Sequence, residues 1–145
     1  MSGLQYDEAA TRQLEAVYLG PDIVAQRART LNLLALKPGE SVLDIGSGPG
    51  FLCAEMARAV GPSGKVRGID ISPVMVSRAA GRNIHDWVSF ATGDAARLDE
   101  PAASYDVVVS TQVAEYVPDI AAFCREAFRV LKPGGRALIM ATDWD

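Results

Sequence analysis

A pattern typical of a buried strand runs directly into a glycine-rich turn and then into an apolar helical pattern at VLDIGSGPGF, residues 42–51. Glycines at 46, 48 and 50 allow the backbone to turn where a Cβ would obstruct it, and they let a ligand approach the main chain closely. Strand, glycine turn and helix in that order open an α/β unit, and open α/β sheets bind ligands at the carboxyl ends of their strands. Alone, the same turn is no more than a tight strand-to-helix connection. The surrounding sequence has to distinguish the two.

The alternation continues along the chain. SVLDI (41–45), KVRGID (65–70), WVSFAT (87–92), YDVVVS (105–110) and RALIMA (136–141) are predicted strands with helical patterns between them, which predicts an α/β fold around a doubly wound, mostly parallel sheet. The unbroken Val107, Val108, Val109 fits a strand covered by helices on both faces. Helix ends are marked by Ser72 before Pro73, by Asp119 and by Gly61. The helix over 119–131 carries Ile120, Phe123, Ala127, Val130 and Leu131 as an apolar stripe. Two further helices, 7–17 and 21–35, precede the sheet, the second with Val24, Ala28, Leu31 and Leu34 on one face. This gives an N-terminal helical cap (1–40) and a core (41–145) within the single domain that 145 residues allow. LALKPGESVLDIG (34–46) and RVLKPGGRALIMA (129–141) read as one local solution used twice, a helix end, a Pro-Gly turn and a buried strand.

Eighteen acidic and fourteen basic side chains leave a net charge of −4, so no global positive field is present to hold nucleic acid or an anionic membrane surface. No apolar run approaches the roughly 18 residues of a membrane span, and the first residues lack a signal-peptide pattern. Cys53 and Cys124 form neither a disulfide framework nor, with His85, a metal-ligand cluster. A cytoplasmic protein with a small-molecule partner and no metal is expected.

Three acids recur at predicted strand ends: Asp44, Asp70 and Asp94. Each alone reads as a cap or a solvated loop carboxylate. Together at one sheet edge they suit a nucleoside: Asp70 accepting from ribose hydroxyls, Asp94 from an exocyclic amine, Asp44 facing an ammonium directly or through water. The third glycine falls one residue earlier than in the dinucleotide fingerprint GxGxxG, and Phe51 stands where helix and strand must pack closely. Pro49 removes a backbone donor that a pyrophosphate would use. The ligand reads as a nucleoside without phosphates.

With VLDIGSGPG (42–50), VRGIDIS (66–72), TGDAARL (92–98), DVVVSTQVAEYV (106–117) and LKPGGRALIM (131–140) in this order, the sequence resembles the class I S-adenosylmethionine-dependent methyltransferases, and within them the small-molecule branch acting on quinones, sterols and arsenite. The resemblance implies a Rossmann-like fold and S-adenosylmethionine as cofactor, with S-adenosylhomocysteine as product. It places Gly46, Ser47, Gly48 and Gly50 against the methionine part, Asp44 near its amino group, Asp70 on the ribose and Ile71 against adenine. Asp94 and Ala95 fall on the adenine edge, and Ser110, Thr111 and Gln112 beneath the sulfonium. Methyl transfer to a small-molecule acceptor by in-line displacement follows, with Glu115 and Tyr116 as candidate bases that are equally well ordinary residues of a short helix. His85 precedes the third strand and lies at the wrong end; Cys53 and Cys124 read as core packing. Without a thiol cluster, arsenite is disfavoured. Tyr6, Tyr18 and Arg29 are candidates to line or cover the pocket. Two other readings stand beside methyl transfer: a non-catalytic module that binds the nucleoside, and an NAD-type oxidoreductase.

The resemblance also implies a seven-stranded sheet, whereas the sequence ends at ATDWD after its fifth predicted strand. The expectation is either a piece of a longer methyltransferase or a short protein that self-associates through the RALIMA edge.

Overall fold

The computed structural model describes residues 8–141. Five strands, β1 (Ser41–Ile45), β2 (Lys65–Asp70), β3 (Val88–Thr92), β4 (Tyr105–Thr111) and β5 (Leu131–Met140), form one sheet in the order β3-β2-β1-β4-β5. All neighbouring pairs are parallel. The chain runs outward from β1 to β3, then crosses back to β4 beside β1, so the order reverses between β1 and β4. A crevice opens at the carboxyl ends of the strands at such a reversal.

Five α-helices accompany the strands: α1 (Glu8–Tyr18), α2 (Pro21–Leu34), α3 (Phe51–Val60), α4 (Pro73–Arg82) and α5 (Ile120–Val130). Their ends follow the marked residues. Ser72 Oγ accepts from Met75 N at 3.3 Å, Asp119 Oδ1 accepts from Ala122 N at 3.0 Å, and Gly61 N donates to Ala57 O at 3.0 Å. The sheet separates two buried clusters. Val42, Val66, Val107 and Val109 pack with Leu34, Met56 and Val60 on one side, and Leu43, Ile45, Ile69 and Val108 pack with Tyr105, Phe123 and Val130 on the other. Successive residues of β4 therefore enter different cores, which is why Val107–Val109 shows no polar alternation.

α1 and α2 lie across the carboxyl end of the sheet, tied to the helices below. Arg78 pairs with Glu8 and Glu15, Arg82 pairs with Glu15, and Arg27 Nε meets Glu55 Oε2 at 3.2 Å.

Several expectations need correction. Val24 and Ala28 are exposed; the inward face of α2 is instead Ile23, Gln26, Arg27, Thr30, Leu31 and Leu34. Ile120 and Cys124 on α5 are exposed rather than in the core. Trp87 precedes β3 and sends its indole Nε1–H to Ala57 O at 2.9 Å. β5 begins at Leu131: Leu131 pairs with Tyr105 and Arg136 with Val107, so residues 132–135 loop out of register. Pro133 has no amide to donate there and Gly134 takes φ +81°, which together accommodate the bulge within a continuing strand.

Candidate functional site

A cavity of about 610 Å³ fills the crevice. Gly46, Gly48 and Leu52 form its floor, and Asp70, Ile71, Met75 and Gly93–Ala95 form one wall. Thr111–Val113 and Tyr116–Pro118 form the other, while Leu14, Val17, Tyr18, Ile23, Gln26, Arg27 and Thr30 of the two N-terminal helices close the roof.

The floor is shaped by a backbone that only glycine allows. Gly46 has φ +81° and its N–H donates to Ile69 O at 2.7 Å; a Cβ there would lie 2.0 Å from Val113 Cγ2. Gly50 caps α3 at φ +90°, and a Cβ there would lie 2.9 Å from Ala79 Cβ and Asn83 Nδ2. Gly50 is thus glycine for the packing of the loop against α4, not for the cavity. Phe51 likewise faces the roof rather than the sheet. It stacks on Tyr18 at 5.6 Å, with the Arg82 guanidinium 3.9 Å and the Arg27 guanidinium 5.3 Å from its ring centre.

Asp70 ends β2 at the cavity wall. Its Oδ2 accepts from Gly48 N and its Oδ1 from Ser72 N, each at 2.9 Å, so one carboxylate fixes both the glycine loop and the start of α4. Burial raises its pKa, and the backbone donors oppose that rise. A carboxylate has about four acceptor positions, so acceptor capacity remains toward the cavity beyond the Gly48, Ile71 and Ser72 backbone donors. Asp94 Oδ1 accepts from Ala96 N at 2.9 Å, which closes the turn that presents Asp94 and Ala95 to the cavity.

Asp44 lies deeper. It is 2% exposed, its Oδ2 accepts from the Cys53 thiol at 3.3 Å, and its Oδ1 has no hydrogen-bond partner. Burial pushes its carboxyl up to about 7; the Cys53 hydrogen bond opposes this and the charge on Asp70 adds to it.

Of the residues the sequence singled out, Gly46, Gly48, Asp70, Ile71, Asp94, Ala95, Thr111, Gln112, Tyr18 and Tyr116 line the cavity. Asp44, Ser47, Gly50, Ser110 and Glu115 do not. Ser47 is buried, and Ser110 is fully buried with its hydroxyl donating to Ile45 O at 2.8 Å, a link between adjacent strands. Gln112 holds φ +60°, unusual for a residue with a Cβ, and its N–H donates to Met140 O at 2.9 Å at the exit from β4. His85 stacks on Trp87 at 4.3 Å, ahead of β3 and away from the cavity. Arg29 is exposed, and Tyr6 lies outside the described residues. The sequence reading missed Gln26, Arg27 and Thr30. Together with Ile23 they recur at i, i+3, i+4 and i+7, a helix face hidden by its mixture of polar and apolar residues.

Residues 36–144 match the methyltransferase domain family. The chain belongs to that family. It is 41% identical over 108 residues to an arsenite methyltransferase of Halobacterium salinarum, covering 72% of this chain and 28% of that protein. It is 39% identical over 125 residues to the 2-methyl-6-phytyl-1,4-hydroquinone methyltransferase of Synechocystis sp., covering 86% and 38% respectively. Its fold superposes on a SAM-dependent methyltransferase from Aquifex aeolicus with a TM-score of 0.76 at 25% identity, covering 92% of this chain and 72% of that one. The chain thus spans well under half of the curated relatives' length. The methyltransferase domain fold is the Rossmann-like one, and the family and fold imply S-adenosylmethionine as cofactor. Among the described residues no helix is long and apolar enough to cross a membrane.

Proposed function

We propose that the cavity holds S-adenosylmethionine and that the chain takes part in methyl transfer to a small-molecule acceptor. The observation that carries this is Asp70, clamped by Gly48 N–H and Ser72 N–H at the end of β2 with acceptor capacity left toward the cavity. That is the arrangement a ribose diol requires.

The other groups fit the same ligand. Asp44 Oδ1 is a buried acceptor without a partner, suited to a cationic amino group reached through water, since Asp44 does not itself line the cavity. Ile71, half exposed at the wall, offers an apolar face for adenine, with Asp94 and the Ala95 backbone at its edge. Thr111 and Gln112 would lie beneath the sulfonium; Ser110, its hydroxyl committed to Ile45, supports them from behind.

S-adenosylmethionine supplies a methyl group already activated for in-line displacement. The chain's contribution is to align that methyl with the acceptor and to exclude water beneath α1 and α2. Tyr116 reaches the cavity and Glu115 does not, so Tyr116 is the better placed of the two candidate bases. The cavity lining contains no thiol: Cys53 is turned to Asp44 and Cys124 lies on the outer side of α5. This favours an oxygen, nitrogen or carbon acceptor over arsenite. The apolar lining from Val113, Tyr116, Val117, Leu14 and Ile23 suits an acceptor with a ring or an alkyl body.

The test is transfer of labelled methyl from S-adenosylmethionine to a panel of phenolic, quinol and amine acceptors, with labelled product expected. Because the chain spans only part of its relatives, a module that binds cofactor without transferring methyl is the second reading. Tight S-adenosylhomocysteine binding with no transfer to any acceptor would favour it. We also propose that the outer edge of β5, where Ile139 is 39% exposed, pairs with a second copy of the chain. Sedimentation is expected to show a dimer; a monomer with β5 resistant to proteolysis would contradict this.

A further inference from the structure

Building on the reading that the outer edge of β5 pairs with a second copy of the chain, we propose that a ridge on α5, Ile120, Cys124 and Phe128, is the helical seam of that pairing and packs antiparallel against the same ridge of the copy. Ile120 is 48% and Phe128 79% exposed, and Cys124 is exposed between them. The three stand at i, i+4 and i+8, so they form one uncharged row along the helix.

The direction of the ridge follows from what the rest of α5 touches. Phe123, Ala127 and Val130 are buried against the sheet. On one flank Glu126 Oε1 accepts from Leu98 N at 2.7 Å and Arg129 Nη2 donates to Leu98 O at 3.1 Å. Leu98 packs with Leu43 and Ile69 over β1 and β2, away from β5. The ridge occupies the opposite flank and so faces the β5 edge. β5 is uncovered on the same side: Ala137 is in register with Val108, which belongs to the core beneath α5, and Ala137 and Ile139 alternate onto that face and are both exposed.

Symmetry then selects the occupant and its orientation. A two-fold axis along the strands would pair β5 with its copy in parallel, put the two α5 helices on opposite faces and leave both ridges in water. An axis perpendicular to the sheet pairs the strands antiparallel and keeps both helices on one face. Strands lie about 4.8 Å apart and α5 connects β4 to β5, so each helix stands about 5 Å from the seam and the two axes about 10 Å apart, the spacing of packed helices. The heights agree as well. Cys124 lies six residues, about 9 Å, before the end of α5 at Val130. Ala137 lies three rows, about 10 Å, beyond the pair of Leu131 with Tyr105. An axis beside Ala137 therefore passes close to Cys124 and sets Ile120 of each copy against Phe128 of the other.

Crosslinking and sedimentation of the full chain test the seam. A short bismaleimide is expected to join the Cys124 thiols of the two copies into a dimer band that Cys124→Ser abolishes, since Cys53, the other cysteine, is buried. Phe128→Asp is expected to weaken the dimer roughly tenfold to hundredfold, with hydrogen-exchange protection of β4 unchanged because Phe128 is exposed. Phe128→Ala is expected to weaken it less and guards against misfolding of the former. A dimer without the Cys124 crosslink, or one indifferent to both Phe128 variants, overturns the seam while leaving the β5-edge reading in place. A wild-type monomer overturns both.

Discussion

The Cys53 thiol donates to Asp44 Oδ2 at 3.3 Å beneath the glycine loop, while Asp44 Oδ1, equally buried, has no protein partner. This half-satisfied carboxyl carries a pH signature. Its folded pKa, about 7, is above the ordinary aspartate value, so the folded state binds the extra proton. Its stabilising effect is complete below the unfolded pKa of about 4 and is lost as pH rises through about 7. Asp44→Asn is expected to flatten the decline in urea midpoint between pH 4 and 7 relative to wild type. A cationic amino group nearby favours the ionised form, so S-adenosylhomocysteine is expected to bind more tightly from pH 5.5 to 7.5, with proton release detectable by calorimetry in buffers of different ionisation enthalpy.

Asp70 connects the loop to the ligand. Asp70→Ala is expected to weaken S-adenosylhomocysteine binding by about 1.5–3 kcal/mol, the cost of removing hydrogen bonds to a charged acceptor. Asp70→Asn keeps an acceptor without the charge and is expected to lose less. Unchanged affinity in both, measured by calorimetry, would place the ribose elsewhere.

Gly46 and Gly50 stand in one motif yet do different work. At Gly50 a methyl group would meet Ala79 at 2.9 Å in a left-handed backbone, so Gly50→Ala is expected to cost about 1–3 kcal/mol of stability by overpacking, with ligand affinity little changed while the protein remains folded. Gly46→Ala is expected to affect both, because the methyl group would displace Val113 at the cavity wall. Parallel denaturation and ligand titration of the two variants separate these roles.

Arg82 joins floor to roof: it pairs with Glu15 of α1, donates to Pro49 O and lies over Phe51. Arg82→Ala is expected to lower hydrogen-exchange protection in α1 while leaving β1 protected, since β1 is held by both neighbouring strands. Equal loss in both elements would mean that Arg82 supports the whole domain.

The centre of the sheet was legible because β1, β2 and β4 carry buried residues on both faces, and Gly46, Gly64 and Asp70 mark strand ends of β1 and β2. The caps at Ser72 and Asp119 formed where the residue types favour them. The roof was harder to see. The apolar stripe Val24, Ala28, Leu31 and Leu34 is inward only at its last two members, whereas the face that covers a polar cavity mixes Ile23 with Gln26, Arg27 and Thr30. Within the motifs, order along the chain did not reveal direction. Ser47, Gly50 and Ser110 stand beside cavity residues but turn into packing or into a neighbouring strand, because adjacent residues of strands and tight turns point different ways. The LKPGG segment read as a turn before β5 because a bulge with one ladder pair on its near side has the same composition as a turn.

The most direct test of the central claim is calorimetry of the chain with S-adenosylhomocysteine and with NAD under identical conditions. The nucleoside site built from Asp70, the glycine loop and Asp94 calls for saturable binding of S-adenosylhomocysteine and little or none of NAD, whose pyrophosphate meets a loop lacking the Pro49 amide. Preferential binding of NAD would contradict it.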